Sequence, residues 1–178
     1  MLDLCAGSGA LGLEALSRGA AHVLLVESDR RAAAVLRRNV AAVDLPGAQV
    51  RAAPAAAVLA GQADRAFDLL LVDPPYATPD TEVAAWLTAA LAHGWLAADA
   101  TVVVERPSRG GPFPWPAPLQ PVRERRYGET TLHLARCYRP SSRGAPSAPA
   151  PSTRPPTGTS TSSVARRRCS TRSSWRCS

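Results

Sequence analysis

Short apolar runs alternating with helical patterns over residues 1–106 constrain this chain more than any other feature. Residues 2–4, 23–26, 49–51, 67–72 and 101–104 read as strands, and residues 10–18, 29–43, 55–60 and 79–92 carry helical spacing. Successive parallel strands need a crossover, so the alternation predicts an α/β fold with a doubly wound, mostly parallel sheet. The run Leu69-Leu70-Leu71-Val72 is apolar at every position, which predicts a strand covered on both faces. Gly19 reads as the cap that ends the first helix, Ser28 or Asp29 as the cap that opens the second, and Pro46-Gly47 as its stop. A proline-rich loop over 107–121 precedes two further strands, 121–126 and 130–137, joined at Tyr127-Gly128-Glu129. They predict an antiparallel hairpin that closes the sheet.

Charge divides the chain unevenly. All 21 basic residues are arginine, and eight of them lie in residues 139–178 with no acid; residues 1–138 then carry 13 arginines against 14 acids. The formal charge of +7 therefore belongs to the tail and is no sign of a nucleic-acid patch on the folded part. Ser, Thr, Pro and Arg make up 30 of those 40 tail residues, too little apolar area to offset the entropy of ordering. The tail is expected to be disordered. With G/C-rich codons, a shifted reading frame from Pro156 to Ser178 can spell a strand–helix–strand segment, so the tail also reads as a frameshift product. No apolar run is long enough to span a membrane and no secretory pattern opens the chain, which predicts a cytoplasmic protein. Cys5, Cys137, Cys169 and Cys177 form no C-x-x-C pair, and His22, His93 and His133 have no ligand spacing, so no metal is expected. Cys5 reads as a small core residue.

The first constellation with chemistry is Asp3-Leu4-Cys5-Ala6-Gly7-Ser8-Gly9, where a strand ends, a glycine loop turns and a helix starts. Glycines let the backbone pass close under a ligand, with helix N–H groups pointing at it. Nicotinamide and flavin enzymes share such loops. Two acids tilt the reading. Asp3 inside the strand suits a cationic ligand end, such as the ammonium of S-adenosylmethionine, and would repel a pyrophosphate. Glu27, followed by Ser28, ends the second strand and can accept from both hydroxyls of a ribose.

The second constellation is Asp73-Pro74-Pro75-Tyr76 after the strand 67–72, at the sheet edge where ligands bind in such folds. Two prolines remove two donors and stiffen the turn. The Asp73 carboxylate and the Pro74 carbonyl remain as acceptors, a pair that fits an exocyclic amine and can turn its lone pair toward a methyl donor. Tyr76 can stack on the base, which must leave its own stack to reach this point.

On these residues the chain resembles the RsmD-type 16S ribosomal RNA (guanine-N2)-methyltransferases: LDLCAGSGALGLEALSRGA, VLLVES, FDLLLVDPPY and RRYGETTLHLAR carry the likeness over residues 1–138. The resemblance implies a Rossmann-like class I S-adenosylmethionine-dependent methyltransferase domain over 1–138. It implies S-adenosylmethionine as cofactor and a guanine N2 of 16S ribosomal RNA, in the small ribosomal subunit, as acceptor. Gly7, Ser8, Gly9 and Glu27 then look like cofactor contacts, joined from the loop reading by Asp3, Ala6 and Ser28. Asp73, Pro74, Pro75 and Tyr76 look like the target-amine site, and Arg109 and Tyr127 like weaker RNA contacts. A monomer is expected. The family carries a segment before the first strand that this chain lacks, so an inactive fragment that binds cofactor weakly is one alternative. A DNA adenine-N6 methyltransferase, which uses the same acceptor geometry, is the other. Residues 51–54 offer no acid or amide for an adenine edge, which leaves that contact unassigned.

Overall fold

The structure, a computed structural model, describes residues 1–138; the expectations of disorder and frameshift origin for 139–178 lie outside them. The elements run β1 (Leu2–Leu4), α1 (Ala10–Ser17), β2 (Val23–Glu27), α2 (Arg30–Val43), β3 (Ala48–Ala52), α3 (Ala55–Leu59), β4 (Phe67–Val72), α4 (Asp80–Ala92), β5 (Leu96–Pro107), β6 (Leu119–Tyr127) and β7 (Thr130–Cys137). They build a sheet of order β3-β2-β1-β4-β5-β7-β6. β1 to β5 are parallel, and β7 inserts antiparallel between β5 and β6. The α/β reading and the closing hairpin are both present.

The local signals act as their chemistry dictates. Asp29, not Ser28, caps α2: its Oδ1 accepts from the N–H groups of Arg31 (2.9 Å) and Ala32 (2.8 Å). Past α1, Gly19 N–H donates to Leu16 O and Ala20 N–H to Ala15 O, the paired bonds that use up the last carbonyls of a helix. The hairpin turn is shorter than expected, with only Gly128 and Glu129 between the strands. β5 is much longer than residues 101–104, because β7 pairs with it as far as Pro107.

α3 and α4 cover one face of the sheet. There Leu2, Leu4, Val26, Leu70, Val72, Val102 and Val104 pack with Val58, Leu59, Val83 and Leu87. Trp95 lies in this core, stacked on Phe67 with ring centroids 6.3 Å apart, and its indole N–H donates to Gly61 O. Trp115 packs there too, edge-on to Phe113. The other face is covered over β1 to β3, where Leu16 and Leu36 meet Val23 and Leu25. The expectation that β4 is buried on both faces is thus corrected: Leu70 and Val72 are buried, whereas Leu69 and Leu71 are only half-buried. The layer under α1 and α2 centres on β2 and reaches β4 only at its margin.

Gly47, at the stop of α2, sets where β2 enters the sheet. Its carbonyl accepts from Val23 N–H at 2.9 Å, its φ is +94°, and a Cβ there would run into the Ala21 carbonyl oxygen. Gly47→Ala is expected to cost more than about 1 kcal/mol. A urea unfolding midpoint equal to that of the unsubstituted chain would contradict this.

Candidate active site

Parallel register builds the site. Leu4 pairs with Val26 and with Val72, and Val72 pairs with Val104. The next residues along these strands are Glu27, Cys5, Asp73 and Glu105. They form one row across the carboxyl ends of four neighbouring strands, which lie about 4.8 Å apart. These residues, with Ser28, Pro74, Pro75 and Tyr76, line a cavity of about 410 Å³. The acids at the end of β2 and the turn after β4 therefore share one cleft, although 45 residues lie between Glu27 and Asp73 in sequence. Among the described residues no basic side chain lines it.

Glu27 holds the glycine loop. Its Oε2 accepts from Gly7 N–H and its Oε1 from Asp29 N–H, both at 2.8 Å. One carboxylate thus joins the loop after β1, the end of β2 and the cap of α2. Ala6 is tied to the sheet by its N–H on Val26 O, and its own carbonyl accepts from Gly9 N–H. Gly9 has φ +85°, and a Cβ there would collide with Leu36, so the loop lies tight against α2. Ser8 and Gly9 do not line the cavity; the Ser8 carbonyl accepts instead from Asn39 Nδ2 at 2.8 Å.

Asp3 lies beneath the row, 2% exposed, with Oδ2 buried and unpartnered among the described residues. Burial pushes its pKa up to about 7 against the pull of the Gly12 N–H, with Asp73 and Glu27 adding repulsion. A buried carboxylate oxygen without a donor is costly, and a cationic ligand end is the chemistry that would satisfy it. Burial also raises the Asp73 pKa. Cys5 is corrected from a core residue to a half-buried one at the cavity wall, with φ +65°. Burial, then Glu27 and Asp73, push its thiol up to about 12, so it is no thiolate nucleophile.

In the Asp73-Pro74-Pro75-Tyr76 turn the Pro75 carbonyl is taken by Thr78 N–H at 2.8 Å, while among the described residues no donor reaches the Pro74 carbonyl. Tyr76 is 57% exposed, and its hydroxyl meets Thr130 Oγ1 at 2.9 Å. The far side of the turn is braced from β5: buried Arg106 donates to Asp80 Oδ1 at 2.6 Å and to the Thr78 carbonyl. Arg109 and Tyr127 do not line the cavity. Arg109 is exposed and reaches Glu129 at 3.5 Å, and the Tyr127 hydroxyl accepts from Arg125 at 3.5 Å.

Four contributors escaped the sequence. Glu105 closes the row, and Ala53, Pro54 and Trp86 wall an adjoining cavity of about 240 Å³ that shares Cys5, Ser28 and Pro75 with the first. Only pairing of β4 with β5 brings Glu105 beside Asp73, and no local pattern announces that. Among the described residues no cluster of His, Cys, Asp or Glu is arranged to hold a metal ion, and no helix is long and apolar enough to cross a membrane.

Known proteins agree with this architecture. A family model described as "Conserved hypothetical protein 95" matches residues 1–136. The ribosomal RNA small subunit methyltransferase D of Escherichia coli K12 is 38% identical over 133 residues, 75% of this chain and 66% of that protein. The chain thus spans just under two thirds of the length of that curated relative. Among solved structures, a putative methyltransferase from Escherichia coli superposes with a TM-score of 0.71 at 34% identity, covering 78% of this chain and 77% of the other. A putative methylase from Haemophilus influenzae gives 0.69 at 28% identity, covering 78% and 86%. The parallel sheet with its antiparallel closing strands is the class I methyltransferase fold, and by the match over residues 1–136 the chain belongs to the conserved hypothetical protein 95 family, the RsmD family.

Proposed function

We propose that this chain transfers a methyl group from S-adenosylmethionine to the exocyclic N2 of a guanine in small-subunit ribosomal RNA. The observation that carries the reading is the single cleft in which Glu27 faces Asp73, Pro74, Pro75 and Tyr76. Its lining acids and the unpartnered Asp3 oxygen beneath it suit a ligand with cationic and N–H groups. S-adenosylmethionine supplies an activated methyl on a sulfonium. Asp3 receives its ammonium end, and Glu27 accepts from its ribose through lone pairs not used by Gly7 and Asp29. The slot between Ala53, Pro54 and Trp86 takes the flat adenine by contact rather than by edge hydrogen bonds.

Asp73 and the Pro74 carbonyl accept from the target amine and hold its lone pair toward the methyl. The N–C bond forms as the C–S bond breaks with its electron pair going to sulfur, and one amine proton leaves, received at the Asp73 carboxylate. Such positioning can supply about 7–11 kcal/mol of the barrier. Tyr76 stacks on the base. Arg109 and Tyr127 would touch RNA only outside the cleft. The DNA adenine-N6 reading uses the same two acceptors; the ribosomal-RNA name of the Escherichia coli relative favours an RNA substrate over DNA. The protein acts as a monomer on ribosomal RNA in the cytoplasm, with no metal.

Asp73→Ala is expected to lower methylation of small-subunit ribosomal RNA by about 10²–10³-fold, with S-adenosylhomocysteine binding unchanged by calorimetry. Full activity in this variant would refute the proposed amine site.

Asp3 sets a pH dependence. Its folded pKa of about 7 lies above the ordinary 3.8, so the protonated form favours folding, and that contribution is lost as pH rises from about 4 to about 7. A cationic ligand end needs the carboxylate, so S-adenosylhomocysteine should bind more tightly as pH rises through the same window and level off above it. Asp3→Asn should flatten both the melting and the binding profiles. A binding constant in the unsubstituted chain that is constant between pH 5 and pH 8 would remove Asp3 from the ligand site.

A further inference from the structure

Glu105 is the one acid of the row that the methyl-transfer reading leaves without a task. It lines the same cavity as Asp73, at the end of the adjoining strand β5, and no ion pair among the described residues involves it. We propose that Glu105 selects guanine, its carboxylate accepting the N1–H of the base whose N2 amine is held by Asp73 and Pro74. The inference rests on the guanine-N2 reading above and adds how the site would tell guanine from adenine.

The argument is one of matching edges. Guanine carries N1–H and the N2 amine at adjacent positions on one edge, so it offers donors side by side. The register sets Asp73 and Glu105 one step past the paired Val72 and Val104, on strands about 4.8 Å apart, and both line one cavity. Adenine offers its N6 amine beside N1, and that N1 is an acceptor. With the adenine amine at Asp73, a lone pair would face the Glu105 carboxylate, and both would be left unpaired by the base.

The surroundings of Glu105 hold it in this role. The Thr130 hydroxyl donates to Glu105, which favours the carboxylate form against burial and the nearby Asp73 charge. Thr130 has one hydroxyl proton, so with that proton on Glu105 its oxygen accepts from the Tyr76 hydroxyl at 2.9 Å. The chain Tyr76–Thr130–Glu105 therefore joins the aromatic ring proposed to stack on the base to the acceptor proposed to read its edge. Leu71, Val103 and Leu132 line an adjoining apolar cavity of about 210 Å³ that Asp73 and Glu105 also border.

The test uses the full chain and its Glu105→Gln variant, which keeps the size of the side chain and adds a donor able to face adenine N1. In the first arm, unmethylated small ribosomal subunits are treated with labelled S-adenosylmethionine, and the product nucleosides are resolved by mass spectrometry. The unsubstituted chain is expected to give N2-methylguanosine alone. Glu105→Gln is expected to lower that product at least tenfold and to raise the ratio of N6-methyladenosine to N2-methylguanosine at least tenfold. An unaltered guanine rate, or a lower rate with no change in the ratio, overturns the role of Glu105. Absence of N2-methylguanosine from the unsubstituted chain overturns the guanine-N2 reading instead.

A second arm does not depend on turnover. Guanosine and 2-aminopurine riboside, which keeps the 2-amine but has an acceptor at N1, are compared by equilibrium dialysis with S-adenosylhomocysteine present. The unsubstituted chain should prefer guanosine at least tenfold, and Glu105→Gln should bring the two within threefold. Equal preference in the two proteins, or none in the unsubstituted chain, overturns the proposal.

Discussion

Everything at the site follows from parallel pairing in register. Once Leu4 sits between Val26 and Val72, and Val72 beside Val104, the residues one step further on have no freedom in the order they take across the sheet. A slip of one residue in any strand would exchange its two faces, and the acid at its end would turn toward the layer of α3 and α4. The register is protected by burial: Leu2, Leu4, Leu70, Val72, Val102 and Val104 are at most 1% exposed on that side. The apolar core on one face of the sheet thus aims the polar groups on the other.

The carboxylates at the sheet edge are held by different means. Glu27 is braced by two backbone N–H groups, a use of charge that fixes a loop without any cation. Asp3, in β1, is buried against the Gly12 N–H of α1, with one oxygen left over. Asp73 stands on a turn stiffened by its two prolines and steadied from β5 by Arg106, whose guanidinium reaches both Asp80 and the Thr78 carbonyl. The outcome is a rigid set of acceptors around a cleft, the arrangement expected where orientation rather than a covalent nucleophile does the chemistry.

Much of this was legible from local pattern. The limits of β4 are written in its apolar run and the following Asp73-Pro74, and the start of α2 in the oxygen of Asp29. The loop at Gly7 and the turn at Asp73 could be paired because topology brings strand ends together in any sheet of this class. What escaped depends on contacts between strands distant in sequence. Glu105 sits in Glu105-Arg106-Pro107, which looks like a strand running out into a loop until β7 pairs along it. The half-burial of Leu69 and Leu71 depends on how far α1 and α2 reach across the sheet, which no run of apolar residues records. Cys5 looked like a core residue because it is small and follows a buried strand; its positive φ swings it to the cavity wall.

The Thr130 hydroxyl carries a further consequence. It owns a single hydrogen, so the direction of the Tyr76–Thr130–Glu105 chain is fixed by whichever end attracts that hydrogen more strongly. While Glu105 is ionised, the hydrogen points inward and the phenol must point outward-in, giving its own hydrogen to the threonine. Neutralising Glu105 removes the reason for that polarity, and the phenol becomes free to turn its hydrogen elsewhere. The direction of a phenol hydrogen at the mouth of the cleft is in this way slaved to a charge at the end of β5, through an atom contributed by the hairpin that ends the described fold.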